Sequence, residues 1–231
     1  MRLVLWDIDG TLVESRGLGR VAFIEAFEAV TGSPPATLVP FAGRTDLEIA
    51  HDMLAQSGIE PREGMLEEFG DRLEQAVASR AEALSERGRA LPGAHEALER
   101  LHGEPRVLQS LLTGNIAPNA RTKLAAFGLE RHVDFEIGAY GSDNRMRGRL
   151  VAIAREKAER KHRLELRPAD VVLVGDTPLD VQAAHEGGAR AVGVATGPYD
   201  VGALSDSGAD TVLVDLADTD AVVRAVLDGD G

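Results

Sequence analysis

The chain has 231 residues, no cysteine and a formal net charge of −13 at pH 7. The length suits one large domain, or a core domain with a smaller second one. The lack of cysteine excludes disulfides, thiolate metal ligands and a cysteine nucleophile. The negative charge disfavours nonspecific binding to nucleic acid or to anionic lipid. The sequence shows neither a secretory signal nor the run of about 18 apolar residues that a membrane span needs, so we expect a cytoplasmic location.

Five short apolar runs have the length and β-branched content of buried strands. They are Leu3–Trp6, Val107–Leu112, Val171–Val174, Ala191–Ala195 and Thr211–Val214. Amphipathic helical patterns lie between them, at residues 92–102, 116–128, 148–161 and 177–188. This alternation predicts an α/β fold, a Rossmann-like parallel sheet with helices on both faces.

The stretch from about Gly17 to Arg89 contains helical patterns only, the last of them long and heavily charged. We interpret it as a small all-helical domain inserted after the first strand. The predicted division is a core domain of residues 1–14 and 90–231 and a helical domain of residues 15–89. We expect the last four residues, 228–231, to be frayed.

Polar side chains follow three of the predicted strands directly. Because ligands bind at the carboxyl ends of parallel strands, we expect Asp7, Asp9, Thr113, Asn115, Asp176 and Asp180 to converge there. Four carboxylates form a hard oxygen donor set, which Mg²⁺ fits best. The spacing of Asp7 and Asp9 in an extended segment predicts that both side chains point the same way. Gly10 allows a sharp turn, and Thr11 offers an anion a hydroxyl and an amide.

Three segments together resemble the haloacid dehalogenase-like hydrolase superfamily. Asp7-Ile8-Asp9-Gly10-Thr11-Leu12 resembles its first motif, residues 111–115 its second, and Val174 to Asp180 its fourth. The order and spacing fit over essentially the whole chain. The helical insert is similar to the cap domain that many members place after the first motif.

The resemblance implies a Mg²⁺-dependent phosphatase that acts on a small phosphorylated metabolite. Asp7 would attack phosphorus to form an aspartyl-phosphate, and Asp9 would act as general acid and base. The metal ligands would be Asp7, the backbone carbonyl of Asp9 and Asp176, with Asp180 assisting. The phosphoryl group would be bound by Thr113 and Asn115, beside Gly114 and the loop of Gly10 and Thr11.

The third motif departs from the family pattern. The family usually supplies a lysine near the start of the helix before the fourth motif, and no lysine stands there. Arg145 or Arg147 is the natural substitute, and we favour Arg147, although an arginine offers a planar fork in place of a point charge. Lys123 and Lys157 are poorer candidates because each falls well inside a helical pattern.

The insert contains a segment, Gly43-Arg44-Thr45, where family caps often carry a loop that contacts the substrate. Arg44 and Thr45 are therefore candidate contacts to the leaving group. Alternatively, Thr45 caps the helix that begins at Asp46, and both roles are compatible.

The function has three alternatives. A carboxylate at Asp9 indicates phosphoryl chemistry rather than dehalogenation, because a halide needs no proton, but it does not separate a phosphatase from a phosphosugar mutase. A phospho-acceptor signalling module would also pair an aspartate with Mg²⁺, although such modules are about half this length and lack the insert. A binding protein that has lost activity is favoured only by the missing lysine. The sequence carries no signal for the oligomeric state.

Overall fold

A parallel sheet forms the centre of the computed structural model, which describes residues 1–227. Within these residues the sheet has six strands in the order β5-β4-β1-β6-β7-β8. The bounds are Arg2–Trp6 (β1), Val107–Thr113 (β4), Ala139–Tyr140 (β5), Val171–Gly175 (β6), Arg190–Val194 (β7) and Thr211–Leu213 (β8). The strand β1 lies in the middle, where Trp6 pairs with Leu111 on one side and with Val174 on the other.

Both faces of the sheet are covered, which explains why its strands are continuous apolar runs rather than alternating ones. On one face Val4 and Trp6 belong to a core that also contains Leu98. On the other face Leu3 and Leu5 pack in a second core with Leu150. The helices that supply these cores are Ala94–His102 (α5), Ala117–Ala125 (α6), Arg147–His162 (α7), Pro178–Glu186 (α8) and Thr219–Leu227 (α10). The chain also forms the short helix Val201–Asp206 (α9) and 3₁₀ turns at Glu130–His132 and Pro168–Asp170. The predicted α/β fold is confirmed.

A helical segment follows the first strand. Its helices are Leu18–Thr31 (α1), Asp46–Gln56 (α2), Met65–Ala78 (α3) and Ala81–Arg87 (α4). Phe23, Phe27, Met53 and Phe69 form the centre of a third core in this segment. A short antiparallel pair, Val13–Glu14 (β2) with Arg89–Ala90 (β3), brackets the helices at the two positions where the sequence predicts domain boundaries. The division into two domains stays a prediction.

The long charged pattern of the insert is two helices rather than one, because the chain breaks at Ser79 and Arg80. The Ser79 hydroxyl and the Arg80 guanidinium both donate to the carbonyl of Ala76, at 3.0 and 2.7 Å. Arg80 also pairs with Glu25 of α1. These bonds satisfy the end of α3 and turn the chain toward α1, a tertiary effect that the periodicity does not reveal.

The start of α2 is in contact with the loop after β4. The backbone N–H of Asp46 donates to the carbonyl of Gly114 at 2.8 Å, and the Asp46 carboxylate accepts the N–H of Ile116 at 3.0 Å. A Cβ on Gly114 would lie 1.9 Å from the carbonyl oxygen of Arg44. This close approach places the helical segment directly over the carboxyl edge of the sheet.

Residues 228–231, for which the sequence predicts fraying, lie outside the described residues. Among residues 1–227, no helix combines the length and the apolar character needed to cross a bilayer.

Candidate active site

Asp7 and Asp9 follow β1 and line one cavity, as their spacing predicts, but their carboxylates have different partners. Asp7 is buried and lies 3.1 Å from Nη2 of Arg147. The Asp9 side chain is 41% exposed, and its Oδ2 accepts hydrogen bonds from Lys123 at 2.5 Å and from Asn115 at 2.8 Å. The two carboxylates are therefore not equivalent, because Asp7 pairs with Arg147 whereas Asp9 pairs with Lys123 and Asn115.

A buried acidic cluster lies at the ends of β1 and β6. Asp7, Asp176 and Asp180 each place a carboxylate oxygen so that the three oxygens lie within 4.8 Å of one another. Burial, with the charge of Asp180, raises the pKa of Asp176 to about 9. Burial also raises the pKa of Asp7 to about 6, although Arg147 opposes this shift. Burying several negative charges close together costs free energy unless a positive charge offsets their repulsion. The cluster therefore favours a bound cation or a cationic side chain.

Asp176 is the member of this cluster that fits a metal ligand best. Its side chain is buried and accepts a hydrogen bond from the Thr11 hydroxyl at 3.1 Å. Among residues 1–227 no cation forms an ion pair with it. A Cβ on Gly10 would lie 2.3 Å from its Oδ2, and one on Gly197 only 1.7 Å away. Two glycines therefore make room for the carboxylate, and Gly10 has a φ of 84°, which favours glycine.

Asp180 has a structural role at the start of α8 as well as a place in the acidic cluster. Thr177 and Asp180 form a reciprocal capping box at the start of α8. Oδ2 of Asp180 accepts the backbone N–H and the hydroxyl of Thr177 at 3.0 and 2.7 Å, and Oδ1 pairs with Arg147. The carboxylate is thus held in place by the helix that it caps.

Arg147 is the cation beside the acidic cluster. It begins α7, its side chain is 7% exposed, and it bridges Asp7 and Asp180. Burial lowers its pKa and the two carboxylates raise it, with a net upward shift that keeps the guanidinium charged. Its buried Nε–H has no hydrogen-bond partner within the described residues. Arg145 is exposed and is not among the residues that line the cavity.

The loop after β4 adds polar groups to the same edge. Thr113, Gly114 and Asn115 all line the cavity. Nδ2 of Asn115 donates to Thr113 Oγ1 at 2.8 Å as well as to Asp9. Thr11 is fully buried and supports Asp176 instead of facing the cavity.

Arg44 and Thr45 are placed differently from each other. Arg44 lines the cavity, but its guanidinium donates to Glu48 at 2.9 Å and to Asp52 at 2.6 Å. Thr45 has no exposed surface. Its hydroxyl accepts the N–H of Glu48, which confirms the helix cap, and donates to the carbonyl of Arg145. The structure does not bring the Thr45 side chain into the cavity.

Lys123 is buried and contacts Asp9, although its position inside a helical pattern makes it a poorer candidate for the site. Its ammonium lies 2.5 Å from Asp9 Oδ2 and 2.7 Å from Asn115 Oδ1. Desolvation would raise the pKa of Asp9, but Lys123, with hydrogen bonds from Asn115 and Ser15, lowers it below its usual range. Lysine within a helical pattern usually faces solvent, and only the packing of α6 against the helical segment buries this one.

The cavity has a volume of about 790 Å³ and lies between the sheet edge and the helical segment. Its floor contains Asp7, Asp9, Asp176 and Arg147. Its walls include apolar and basic side chains of the helical segment, namely Arg16, Arg20, Phe23, Phe41, Ile49, Leu73 and Val77. A volume of this size suits a small molecule rather than a macromolecule.

Comparison with known proteins assigns the chain to a family. The family model of haloacid dehalogenase-like hydrolases matches residues 4–185. The chain belongs to the haloacid dehalogenase-like hydrolases. No curated protein sequence matches it significantly.

Solved structures share the fold along nearly the whole chain. A hydrolase from Pseudomonas syringae is 24% identical, with a TM-score of 0.66 and coverage of 97% of this chain and 98% of its own. A predicted phosphoglycolate phosphatase from Haemophilus somnus is 22% identical, with a TM-score of 0.68 over 96% and 98% of the two chains. A candidate β-phosphoglucomutase from Thermotoga maritima is 24% identical, with a TM-score of 0.61 over 98% and 100%. At these identities the likeness shows the fold, and this hydrolase has phosphatases among its structural neighbours.

Proposed function

We propose that this hydrolase is a Mg²⁺-dependent phosphatase that cleaves a small phosphomonoester through an aspartyl-phosphate on Asp7. The observation that carries the proposal is the buried cluster of Asp7, Asp176 and Asp180, set at the floor of a cavity of about 790 Å³. An oxygen nucleophile, hard metal ligands and buried cationic side chains there are what phosphoryl transfer needs.

Asp7 is the proposed nucleophile. One of its carboxylate oxygens forms a bond to phosphorus while the bond from phosphorus to the leaving oxygen breaks. The leaving oxygen takes a proton from Asp9. Water then attacks phosphorus, gives its proton to Asp9 and releases inorganic phosphate, which restores both carboxyl groups.

The donor set fits magnesium. Asp7 and Asp176 would supply carboxylate oxygens, the backbone carbonyl of Asp9 would be a third ligand, and Asp180 would assist from its capping position. Burial, with the charges of Asp180 and Asp7, raises the pKa of Asp176 to about 9, and a bound cation would offset these effects. When bound, Mg²⁺ supplies charge neutralisation between the nucleophile and the phosphoryl oxygens.

Arg147 fits the place of the family's lysine. Its ion pair with Asp7 would orient the nucleophile, and its guanidinium, which lines the cavity, would donate to a phosphoryl oxygen. Thr113 and Asn115 are proposed to bind the same group, because both line the cavity beside the acidic cluster. The helical segment is proposed to act as a cap that excludes bulk water from the reaction.

A phosphosugar mutase is the second candidate. It is favoured by one observation, the likeness of the fold to the Thermotoga maritima protein described as a candidate β-phosphoglucomutase. A mutase would return the phosphoryl group of Asp7 to a second sugar hydroxyl and release little inorganic phosphate.

The test is phosphate release from p-nitrophenyl phosphate and from a panel of phosphorylated metabolites, with Mg²⁺ or with a chelator. We expect Mg²⁺-dependent turnover that is lost in Asp7→Asn. An exposed control, Asp206→Asn, should keep the wild-type rate. Absence of turnover above the Asp7→Asn background in folded protein would overturn the proposal.

A further inference from the structure

Lys123 is a buried lysine that has no part in the mechanism above. It lies on α6, its side chain is 8% exposed, and its direct carboxylate partner is Asp9. Leu18, Gly19, Val77 and Leu84 surround a small space beside it, so residues of α1, α3 and α4 enclose the lysine. A buried ammonium keeps its charge only with close partners, and here these are Asp9 and Asn115.

The two oxygens of Asp9 have unequal surroundings. Oδ2 accepts two short bonds, from Lys123 at 2.5 Å and from Asn115 at 2.8 Å. Oδ1 accepts one long bond, from the Ser15 hydroxyl at 3.3 Å. Oδ1 is therefore the oxygen that remains available to exchange a proton with the leaving group or with water.

We propose that Lys123 is a positioning residue for Asp9. Through Oδ2 it fixes the carboxyl group so that Oδ1 faces the leaving oxygen, and through Asn115 it ties that orientation to the phosphate-binding loop. This inference rests on the proposed function. It assigns the two buried cations separate tasks, since Arg147 holds the nucleophile and Lys123 holds the acid.

Lys123 also lines the cavity, which makes direct contact with the substrate the rival role. A double-mutant cycle with Asp9 distinguishes positioning of Asp9 from direct contact with the substrate, because the two roles predict different effects on kcat. A residue that acts only through Asp9 has nothing left to position once Asp9 is replaced, whereas one that contacts the substrate keeps its effect.

The experiment compares Lys123→Met, Lys123→Arg, Asp9→Asn and the double variant, with p-nitrophenyl phosphate and glycerol phosphate as substrates. Lys123→Met should lower kcat about 10- to 100-fold, part of the roughly 10²- to 10⁴-fold that a general acid contributes. KM should change less than about 3-fold, since Lys123 binds no substrate group. In the Asp9→Asn background the same change should lower kcat less than about 2-fold.

The leaving group gives an independent readout. An alkoxide needs a proton more than a nitrophenolate does, so both Lys123→Met and Asp9→Asn should slow glycerol phosphate more than p-nitrophenyl phosphate. Lys123→Arg keeps the charge and should recover part of kcat, which separates positioning from loss of folding. The matched control is Lys161→Met, an exposed lysine paired with Asp134, which should keep wild-type rates.

Three results would overturn the inference: an unchanged kcat in Lys123→Met, an equal loss in the Asp9→Asn background, or equal losses for the two leaving groups. If wild-type protein fails to turn over either substrate above Asp7→Asn, the proposed function itself fails and the inference falls with it. An active wild-type protein with no coupling between Lys123 and Asp9 rejects the positioning role alone.

Discussion

The charged residues of the active site act in pairs, and Arg147 is the residue on which the nucleophile depends. It is buried between Asp7 and Asp180, whereas Arg145, two residues earlier, is exposed. Removing one partner from a buried ion pair leaves the other charge without compensation, which costs roughly 3–5 kcal/mol. Loss of Arg147 is therefore expected to affect both folding and catalysis.

We predict that Arg147→Ala is nearly inactive and less stable, while Arg145→Ala has activity within about 3-fold of wild type. Arg147→Lys, which keeps a charge but not the fork that reaches two carboxylates, should fall between them. The measurements are kcat with p-nitrophenyl phosphate and the midpoint of urea unfolding. A severe loss in Arg145→Ala with a mild one in Arg147→Ala would contradict this assignment.

The convergence of the site residues could be predicted from the motifs, because the strand ends of a parallel sheet meet at one edge whatever the intervening sequence. Asp7, Asp9, Asp176 and Arg147 line the cavity, and Asp180 lies beside them in the acidic cluster. Lys123 could not be predicted in the same way. Its burial depends on how α6 packs against α1, α3 and α4, and the periodicity of the α6 sequence does not reveal contacts between helices.

At the scale of elements, the contact between α2 and the loop after β4 sets how closely the helical segment covers the site. The contact is a backbone one, since Asp46 donates to the carbonyl of Gly114 and Arg44 lies directly over the Gly114 Cα. A side chain at this position would push the two elements apart.

We predict that Gly114→Ala lowers both the melting temperature and kcat/KM, because its Cβ would lie 1.9 Å from the Arg44 carbonyl oxygen. The control is Gly70→Ala in α3, where nothing lies within 4 Å of an added Cβ. That change should stabilise the helix by about 0.5–1 kcal/mol and leave turnover intact. Wild-type stability and activity in Gly114→Ala would show that this contact is not kept in solution.

The five predicted strands and the four predicted core helices follow the structure to within about three residues, but α9, α10 and the shortest strands have no predicted counterpart. The edge strand β5 and the β2–β3 pair each have two residues per strand, too few for a period to be seen. The break between α3 and α4 also depends on contacts with α1 rather than on a local signal. Elements of this kind are fixed by tertiary packing.

For the molecule as a whole, the acidic cluster links stability to pH and, if the proposed function holds, to Mg²⁺. Burial, with neighbouring charges, raises the pKa of Asp7 to about 6 and that of Asp176 to about 9. An unfolded aspartate titrates near about 3.9, so folding favours the protonated forms. Their stabilisation is present below about pH 4 and is lost as the pH rises through about 6 for Asp7 and about 9 for Asp176.

We predict that Mg²⁺ raises the melting temperature more at pH 8 than at pH 5. Asp7, with a pKa of about 6, is largely protonated at pH 5 and ionised at pH 8, so its carboxylate competes less with protons for the ion at the higher pH. At 100 times its dissociation constant the ion should add about 2.7 kcal/mol. Asp176→Asn should stabilise the metal-free protein at the higher pH and abolish the shift with Mg²⁺. An equal Mg²⁺ shift in Asp176→Asn would place the ion elsewhere.

The most direct measurement is rapid acid quenching of the enzyme during turnover of a labelled phosphomonoester, followed by peptide mapping. The account predicts a labelled phosphoryl group on the peptide that contains Asp7, formed and lost at rates that match turnover, and none in Asp7→Asn. Full turnover without a phosphorylated peptide, together with activity in Asp7→Asn, would contradict it.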